Sequence, residues 1–194
     1  MSASIERALS GWSPRTDFWL FAYGSLMWNP SFPTDRRVAA HVFGYHRSFC
    51  LWSRINRGTH QQPGLVLALT RGGSCRGFAL RVPRGEVRGM MPALWKREMT
   101  YGSYAPRWLP CRLDGGAVVP ALAFVINPDA SGYACGLSDD ERAACMAHAA
   151  GRYGTAADYL FRTVESLDAL GIVDSGLHAL AERVRVKQAN RKAR

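Results

Sequence analysis

The order of patterns along the chain predicts an α+β fold: strands first and helices last, arranged as a curved sheet or small mixed β-barrel flanked by helices and ending in C-terminal helices. Three observations carry this. Short runs rich in β-branched and aromatic residues, punctuated by Gly and Pro, fill most of the chain before residue 127. One helical stripe, Val87, Met91, Leu94 and Glu98, interrupts them. From Ser138 onward the apolar residues recur at helical spacing behind capping residues. The 194 residues suffice for one core. A single domain is expected over residues 17–180, with a loose leader at 1–16 and a basic tail at 181–194.

The first strand is expected from Asp17 to Tyr23, around the apolar run Phe18-Trp19-Leu20-Phe21-Ala22. It ends abruptly in Tyr23-Gly24-Ser25, a tight turn. Gly24 can take a positive φ or let a ligand approach the backbone. Consecutive amides in such a turn can converge on an anion, and Ser25 adds a hydroxyl. An ordinary strand-ending turn reads the same way. Asn29 to Pro33 is a loop, since two prolines in four residues exclude regular structure. Val38 to Trp52 predicts a long or bent strand, interrupted at Gly44-Tyr45. After a loop at 53–64, Leu65–Leu69 and Gly77–Val82 predict a hairpin turning at Gly72-Gly73-Ser74.

Pro83 to Thr100 predicts a helix, with Val87, Met91, Leu94 and Glu98 at i, i+4, i+7 and i+11 on one face. Pro92 implies a kink or a restart within it. Arg107–Leu113 and Val118–Ile126 predict a second hairpin around Asp114-Gly115-Gly116. Ser138-Asp139-Asp140-Glu141 matches a capping box and opens a helix expected to end near Gly151. Thr155 to Asp158 opens the next, with Leu160, Val164 and Leu167 inward. A last helix follows Ser175, with Leu177, Leu180, Ala181 and Val184 on one stripe.

Composition narrows the class. With 47% hydrophobic and 21% charged residues the chain is globular, not disordered. No apolar run is long enough for a membrane span and Met1–Arg15 lacks a signal-type apolar core, so the expected location is cytoplasmic, without a membrane partner. The five cysteines (Cys50, Cys75, Cys111, Cys135, Cys145) form an odd set without C-x-x-C, and none of the five histidines sits in H-E-x-x-H. Neither a disulfide framework nor a metal site is expected. Of the net charge of +10, residues 181–194 supply six basic groups against one acidic group. No stretch interleaves basic and aromatic residues as a stacking surface would, so a solvated tail is expected rather than a nucleic-acid surface. The remaining positive charge suits an anionic small substrate. Oligomeric state is not legible.

Glu98 is the most informative carboxylate. It continues an apolar stripe, where desolvation disfavours the charged form and raises the pKa. A Glu tuned upward suits general acid–base work near neutral pH. The alternative is a helix-end Glu paired to Lys96, Arg97 or a distant arginine. Tyr101, Ser103, Tyr104, Arg107 and Trp108 follow, able either to orient the carboxylate and bind substrate or to pack as core and rim. Tyr159 either points into a cleft or is partly buried at a helix flank. No G-x-S-x-G, P-loop or G-x-G-x-x-G motif is present. A Cys–His pair stays open, because spatial pairing is invisible in sequence.

Phe21-Ala22-Tyr23-Gly24-Ser25-Leu26-Met27-Trp28-Asn29-Pro30, with its Y-G-S-L loop and following Trp, resembles the ChaC family of γ-glutamylcyclotransferases. Arg57-Gly58 with Pro63-Gly64, and Gly72-Gly73-Ser74-Cys75-Arg76-Gly77, continue the likeness. Trp95-Lys96-Arg97-Glu98-Met99 looks like the family's R-E-M helix end. Gly151-Arg152-Tyr153-Gly154, Asp158-Tyr159-Leu160 and Thr163-Val164 complete it, in matching order from about Phe18 to Leu177.

The resemblance implies a γ-glutamylcyclotransferase-like fold and cleavage of glutathione to 5-oxoproline and cysteinylglycine, with no cofactor. It implies that Ala22, Tyr23, Gly24, Ser25, Leu26 and Met27 cradle the γ-glutamyl group and that Glu98 is the catalytic acid/base. Tyr104 and Tyr159 carry over as pocket residues. Two positions depart from the pattern. Ala22 stands where glycine is frequent in the family and adds a methyl, and Pro92 lies in the helix that orients Glu98. Two other functions remain compatible with these residues: a cyclotransferase for other γ-glutamyl amines or amino acids, and a non-catalytic binding or regulatory protein of the same fold whose basic tail recruits an acidic partner.

Overall fold

The computed structural model describes residues 2–192. They form two compact units. The first comprises residues up to Arg47 together with Ala68–Ala130; the second comprises Ser48–Leu67 and the residues from Ser131 on.

Five strands close into a barrel in the order β1-β3-β2-β4-β5: β1 (Phe18–Ala22), β2 (Arg36–Ser53), β3 (Gly64–Val82), β4 (Tyr104–Leu113) and β5 (Val118–Ile126). β1 pairs antiparallel with the end of β3, from Phe18↔Val82 to Ala22↔Phe78, and parallel with β5 through Trp19↔Ala121 and Leu20↔Leu122. Every residue of β1 is buried, so both of its faces are covered. That is why its sequence is a continuous apolar run rather than an alternation. β4 and β5 form the expected hairpin, in register from Tyr104↔Ile126 to Arg112↔Val118. Its turn places Gly115 and Gly116 at φ +98° and +92°, which only glycine adopts without strain.

Three expectations for this unit change. Residues 1–16 are not a loose leader throughout: Ala3–Leu9 form helix α1, with Ile5, Ala8 and Leu9 buried. Trp108 Nε1 donates to the Ala8 carbonyl at 2.8 Å, and Trp12 meets Phe18 edge-on at 5.6 Å. Two helical turns are too short for a periodic signal, so tertiary packing decides this helix.

The hairpin expected at Leu65–Val82 is instead one 19-residue strand, β3. Gly72 and Gly73, at φ +95° and +65°, bend it without reversing it. The two segments find other partners, Leu69 on Val125 of β5 and residues 78–82 on β1. Helix α2 runs unbroken from Val87 to Met99, with Pro92 inside it. Pro92 is exposed, so the carbonyl it leaves without an amide donor lies on the wet side and no restart follows. Val87, Met91 and Leu94 are buried, as their spacing predicts.

In the second unit α3 (Asp139–His148), α4 (Ala156–Asp168) and α5 (Ser175–Lys192) pack together. The capping box is complete: Ser138 Oγ accepts from the Glu141 amide, and the Glu141 carboxylate accepts from the Ser138 amide. Ser138→Ala is expected to cost about 1 kcal/mol. In a chain of this size that lowers Tm by about 2–4 °C in a thermal melt. α3 stops at His148, not Gly151, because Ala149 turns extended and Ala150–Gly151 (β6) pairs with Gly154–Thr155 (β7) in a small hairpin. Leu160, Leu167 and Val184 are fully buried. Within residues 181–192 the chain continues α5, where Arg185 lies over the Phe161 ring and Lys187 pairs with Asp140 at 3.0 Å. Among the described residues no helix is long and apolar enough to cross a membrane.

Candidate active site

β1 delivers the chain to a turn built as the sequence suggests, with one difference. Gly24 sits at φ −138°, ψ −135°, so the positive φ open to it is not used. Ser25–Met27 form one 3-10 turn, closed by the Met27 amide on the Gly24 carbonyl (2.8 Å) and by the Asn29 amide on the Ser25 carbonyl (2.9 Å). The first amides of such a turn, those of Gly24, Ser25 and Leu26, have no carbonyl partner within it. Ala22, Tyr23, Leu26 and Met27 are buried.

The turn is held at its base. Tyr23 Oη donates to the Phe124 carbonyl of β5 at 2.7 Å. Arg47 of β2, only 8% exposed, donates from Nη1 to the Tyr23 carbonyl at 2.9 Å. Nothing in the sequence marked Arg47, because its role depends on where the barrel places β2 beside the end of β1.

Glu98 lies in the last turn of α2, one position beyond the buried Leu94 stripe, with its side chain 13% exposed. Burial pushes its carboxyl above the usual carboxylate range, and the Arg97 guanidinium opposes part of that rise. The carbonyl end of the helix also disfavours an anion there. Both sequence readings of Glu98 therefore hold at once: it is desolvated and it is paired, Arg97 Nε to Glu98 Oε1 at 3.1 Å.

Arg97 also reaches the turn. Its Nη2 donates to Ser25 Oγ at 2.8 Å, and its Nη1 donates to the Asn29 carbonyl (2.7 Å) and to Ser31 Oγ (2.9 Å). Ser25 and Glu98, 73 positions apart in the chain, thus meet at two nitrogens of one guanidinium. In sequence Arg97 stood as a salt-bridge partner of Glu98 and as part of the R-E-M likeness, with no tie to the turn.

Tyr104 opens β4, half-buried, opposite Ile126. That register puts it on the same side of the β4–β5 ladder as Phe124. The Phe124 ring meets Trp95 of α2 at 6.3 Å, three residues before Glu98. Tyr159 belongs to the second unit, buried on α4. Phe49 meets it edge-on at 5.7 Å, and the Arg57 guanidinium lies 5.2 Å from its ring. Arg57 in turn donates to the Tyr153 and Thr155 carbonyls.

Burial pushes the Cys145 thiol above its ordinary value. Cys50, Cys75 and Cys111 are buried, and burial raises the Cys111 thiol to about 12. Among the described residues no group of three or more His, Cys, Asp and Glu side chains is arranged to hold a metal ion.

A small barrel with a strand-ending amide turn tied to a helix-end carboxylate defines the class, and comparison with known proteins agrees with it. The family model described as ChaC-like protein matches residues 18–187, and the chain belongs to that family. The glutathione-specific gamma-glutamylcyclotransferase of Escherichia coli (strain K12) is 38% identical over 184 residues, covering 95% of this chain and 80% of that protein. Gamma-glutamylcyclotransferase 2-3 of Arabidopsis thaliana is 32% identical over 177 residues, covering 86% and 88%. A crystal structure of a yeast γ-glutamyl cyclotransferase specific to glutathione superposes with a TM-score of 0.82 at 20% identity, over 89% of this chain and 97% of that one. At that identity the superposition speaks for the fold.

Proposed function

We propose that this chain is a γ-glutamylcyclotransferase that cleaves glutathione to 5-oxoproline and cysteinylglycine. The observation that carries it is the join of a desolvated carboxylate to an amide-bearing turn through one guanidinium, in a chain 38% identical to a relative named for that activity.

The chemistry asks for little beyond these parts. The α-amine of the γ-glutamyl residue attacks its own γ-carbonyl, a five-membered ring forms, and the γ-amide C–N bond breaks. The substrate supplies its own nucleophile, so the protein forms no covalent bond to it and holds it in a folded conformer. The amine is an ammonium near neutral pH and must lose a proton. Glu98 takes it as general base and then gives a proton to the departing amine of cysteinylglycine. As the ring closes, the attacking nitrogen sheds its second proton to solvent and the electron pair of the broken C–N bond leaves with the cysteinylglycine nitrogen, which is an ammonium near neutral pH; this balance calls for no cofactor.

Residues Ala22–Met27 cradle the γ-glutamyl group, with the free amides of the turn facing the α-carboxylate or the developing oxyanion. One such donor is worth about 3 kcal/mol of barrier. Tyr104, in the same unit as the turn and Glu98, lines the pocket. A cytoplasmic setting, where glutathione keeps thiols reduced, is consistent with the five free cysteines.

The test is direct. Purified protein incubated with glutathione should release cysteinylglycine and 5-oxoproline in equal amounts, and should turn over γ-glutamylalanine far more slowly. Equal turnover of the two would move the assignment to general γ-glutamyl compounds. Turnover of neither would remove the enzymatic assignment.

A further inference from the structure

We infer that Arg97 is a positioning residue for the reaction, one that locks the γ-glutamyl turn and the Glu98 carboxylate into a single unit; the inference rests on the cyclotransferase function proposed above. Three nitrogens of the guanidinium each have a separate task. Nε faces Glu98 Oε1 at 3.1 Å. Nη2 donates to Ser25 Oγ at 2.8 Å. Nη1 donates to the Asn29 carbonyl and to Ser31 Oγ at 2.7 and 2.9 Å, tying down the segment that leaves the turn.

The geometry decides what the residue does. Neighbours in a helix sequence do not face each other by default, and the guanidinium that meets Glu98 is the one that also holds its loop partners. A planar fork can serve three directions at once, whereas an ammonium is a point charge on a flexible stem. Arg97 is partly buried at 26% side-chain exposure, which limits screening of its charge. The donor set also orients the Ser25 hydroxyl. With its oxygen accepting from Arg97, the Ser25 O–H points away from Arg97 and is available to a ligand held at the turn.

Other ionisable groups reach α2 from the elements packed on it. α1 brings Glu6, paired with Arg88 near the opposite end of the helix, and β4, which packs on α2, carries Tyr104, Arg107, Cys111 and Arg112, the last of them over the Phe43 ring. The charge that acts on Glu98 is that of Arg97, and it favours the carboxylate against burial. Arg97 therefore keeps Glu98 able to ionise, and so to act as a base, in a site dry enough to favour its protonated form.

The experiment compares wild type with Arg97→Ala, Arg97→Gln and Arg97→Lys, each checked for folding by circular dichroism. Two readouts are needed. The first is the pH profile of kcat/KM for glutathione. With the cation removed, the acid limb should move to higher pH and kcat/KM at neutral pH should fall about 10²-fold, the scale of a catalytic group misplaced by about 1 Å. Lysine should return the limb toward its wild-type position while leaving KM raised, because it cannot hold Ser25, Asn29 and Ser31 together.

The second readout is titration of the Glu98 carboxyl by carbon NMR, which needs no turnover. An upward shift in Arg97→Gln, reversed in Arg97→Lys, supports the inference. An unchanged titration and an unmoved limb in folded Arg97→Gln overturn it. Wild type that titrates as described yet releases no 5-oxoproline would overturn the proposed function and leave the coupling of Arg97 to Glu98 standing.

Discussion

Glu98→Gln is expected to lower 5-oxoproline release by about 10²–10⁴-fold, the range for loss of a general acid–base group, and at the same time to raise the stability of the protein at neutral pH. The two effects have one cause. The folded chain holds the Glu98 carboxyl above its ordinary value because it is desolvated. Below about pH 4 the carboxyl is protonated in both the folded and the unfolded chain, and glutamate costs nothing there relative to glutamine. As pH rises past that value, the unfolded chain ionises freely while the folded chain resists. Wild type then loses stability relative to the glutamine variant until the folded carboxyl has ionised as well.

The Tm advantage of Glu98→Gln should therefore be near zero below about pH 4 and grow toward neutrality, at about 2–4 °C for each kcal/mol. Arg97 keeps its contacts with Ser25, Asn29 and Ser31, so the turn should survive the substitution. Thermal melts across pH, run beside the activity assay, check both halves. A variant that stays active, or one that loses activity only because it melts earlier, would remove Glu98 from the mechanism.

Gly151→Ala is expected to be strongly destabilising to the second unit. A Cβ there would lie 2.5 Å from the Gly58 amide nitrogen, 2.6 Å from the Ile55 carbonyl oxygen and 2.7 Å from the Arg57 amide nitrogen. All three are backbone atoms, and none can swing aside. The same knot binds Gly58 to Gly64, where a Cβ on Gly58 would meet the Gly64 nitrogen at 2.2 Å. Amides of Arg152 and Tyr153 donate to Ile55 and Asn56 at 2.8 and 2.9 Å across the same contact.

Parting these segments breaks backbone hydrogen bonds as well as packing, at about 3 kcal/mol or more. That corresponds to a Tm lower by about 6–12 °C. Gly89→Ala is the reference. Its Cβ meets nothing within 4 Å on the exposed side of α2, so it should stabilise by about 0.5–1 kcal/mol. A Gly151→Ala protein melting within 2 °C of wild type would show that the segments separate without cost.

How much of this was legible in the sequence can be read residue by residue. The buried run of β1, the Gly115-Gly116 hairpin, the Ser138 capping box and the Val87–Met91–Leu94 face are local patterns set by side-chain period or by one turn's chemistry, and each stands where its residues put it. The unexpected features are all non-local. Gly72-Gly73 carry the composition of a reversal, and a bend costs the same glycines; only the availability of β1 and β5 as partners selects the bend. Helix α1 is too short to announce itself and exists through what Ile5 and Leu9 pack against.

The candidate site divides in the same way. The sequence by itself determined a strand ending in an amide-bearing turn, and a carboxylate placed at the end of an apolar helix face, because burial and periodicity act over a few residues. Tertiary structure alone decided that the two share a guanidinium. Closing the barrel brings residue 25 within reach of residue 97, and nothing local to either position encodes that distance. The buried Arg47 under Tyr23 follows from the same closure: a charge in the middle of a strand has no partner until the neighbouring chain supplies a carbonyl for it.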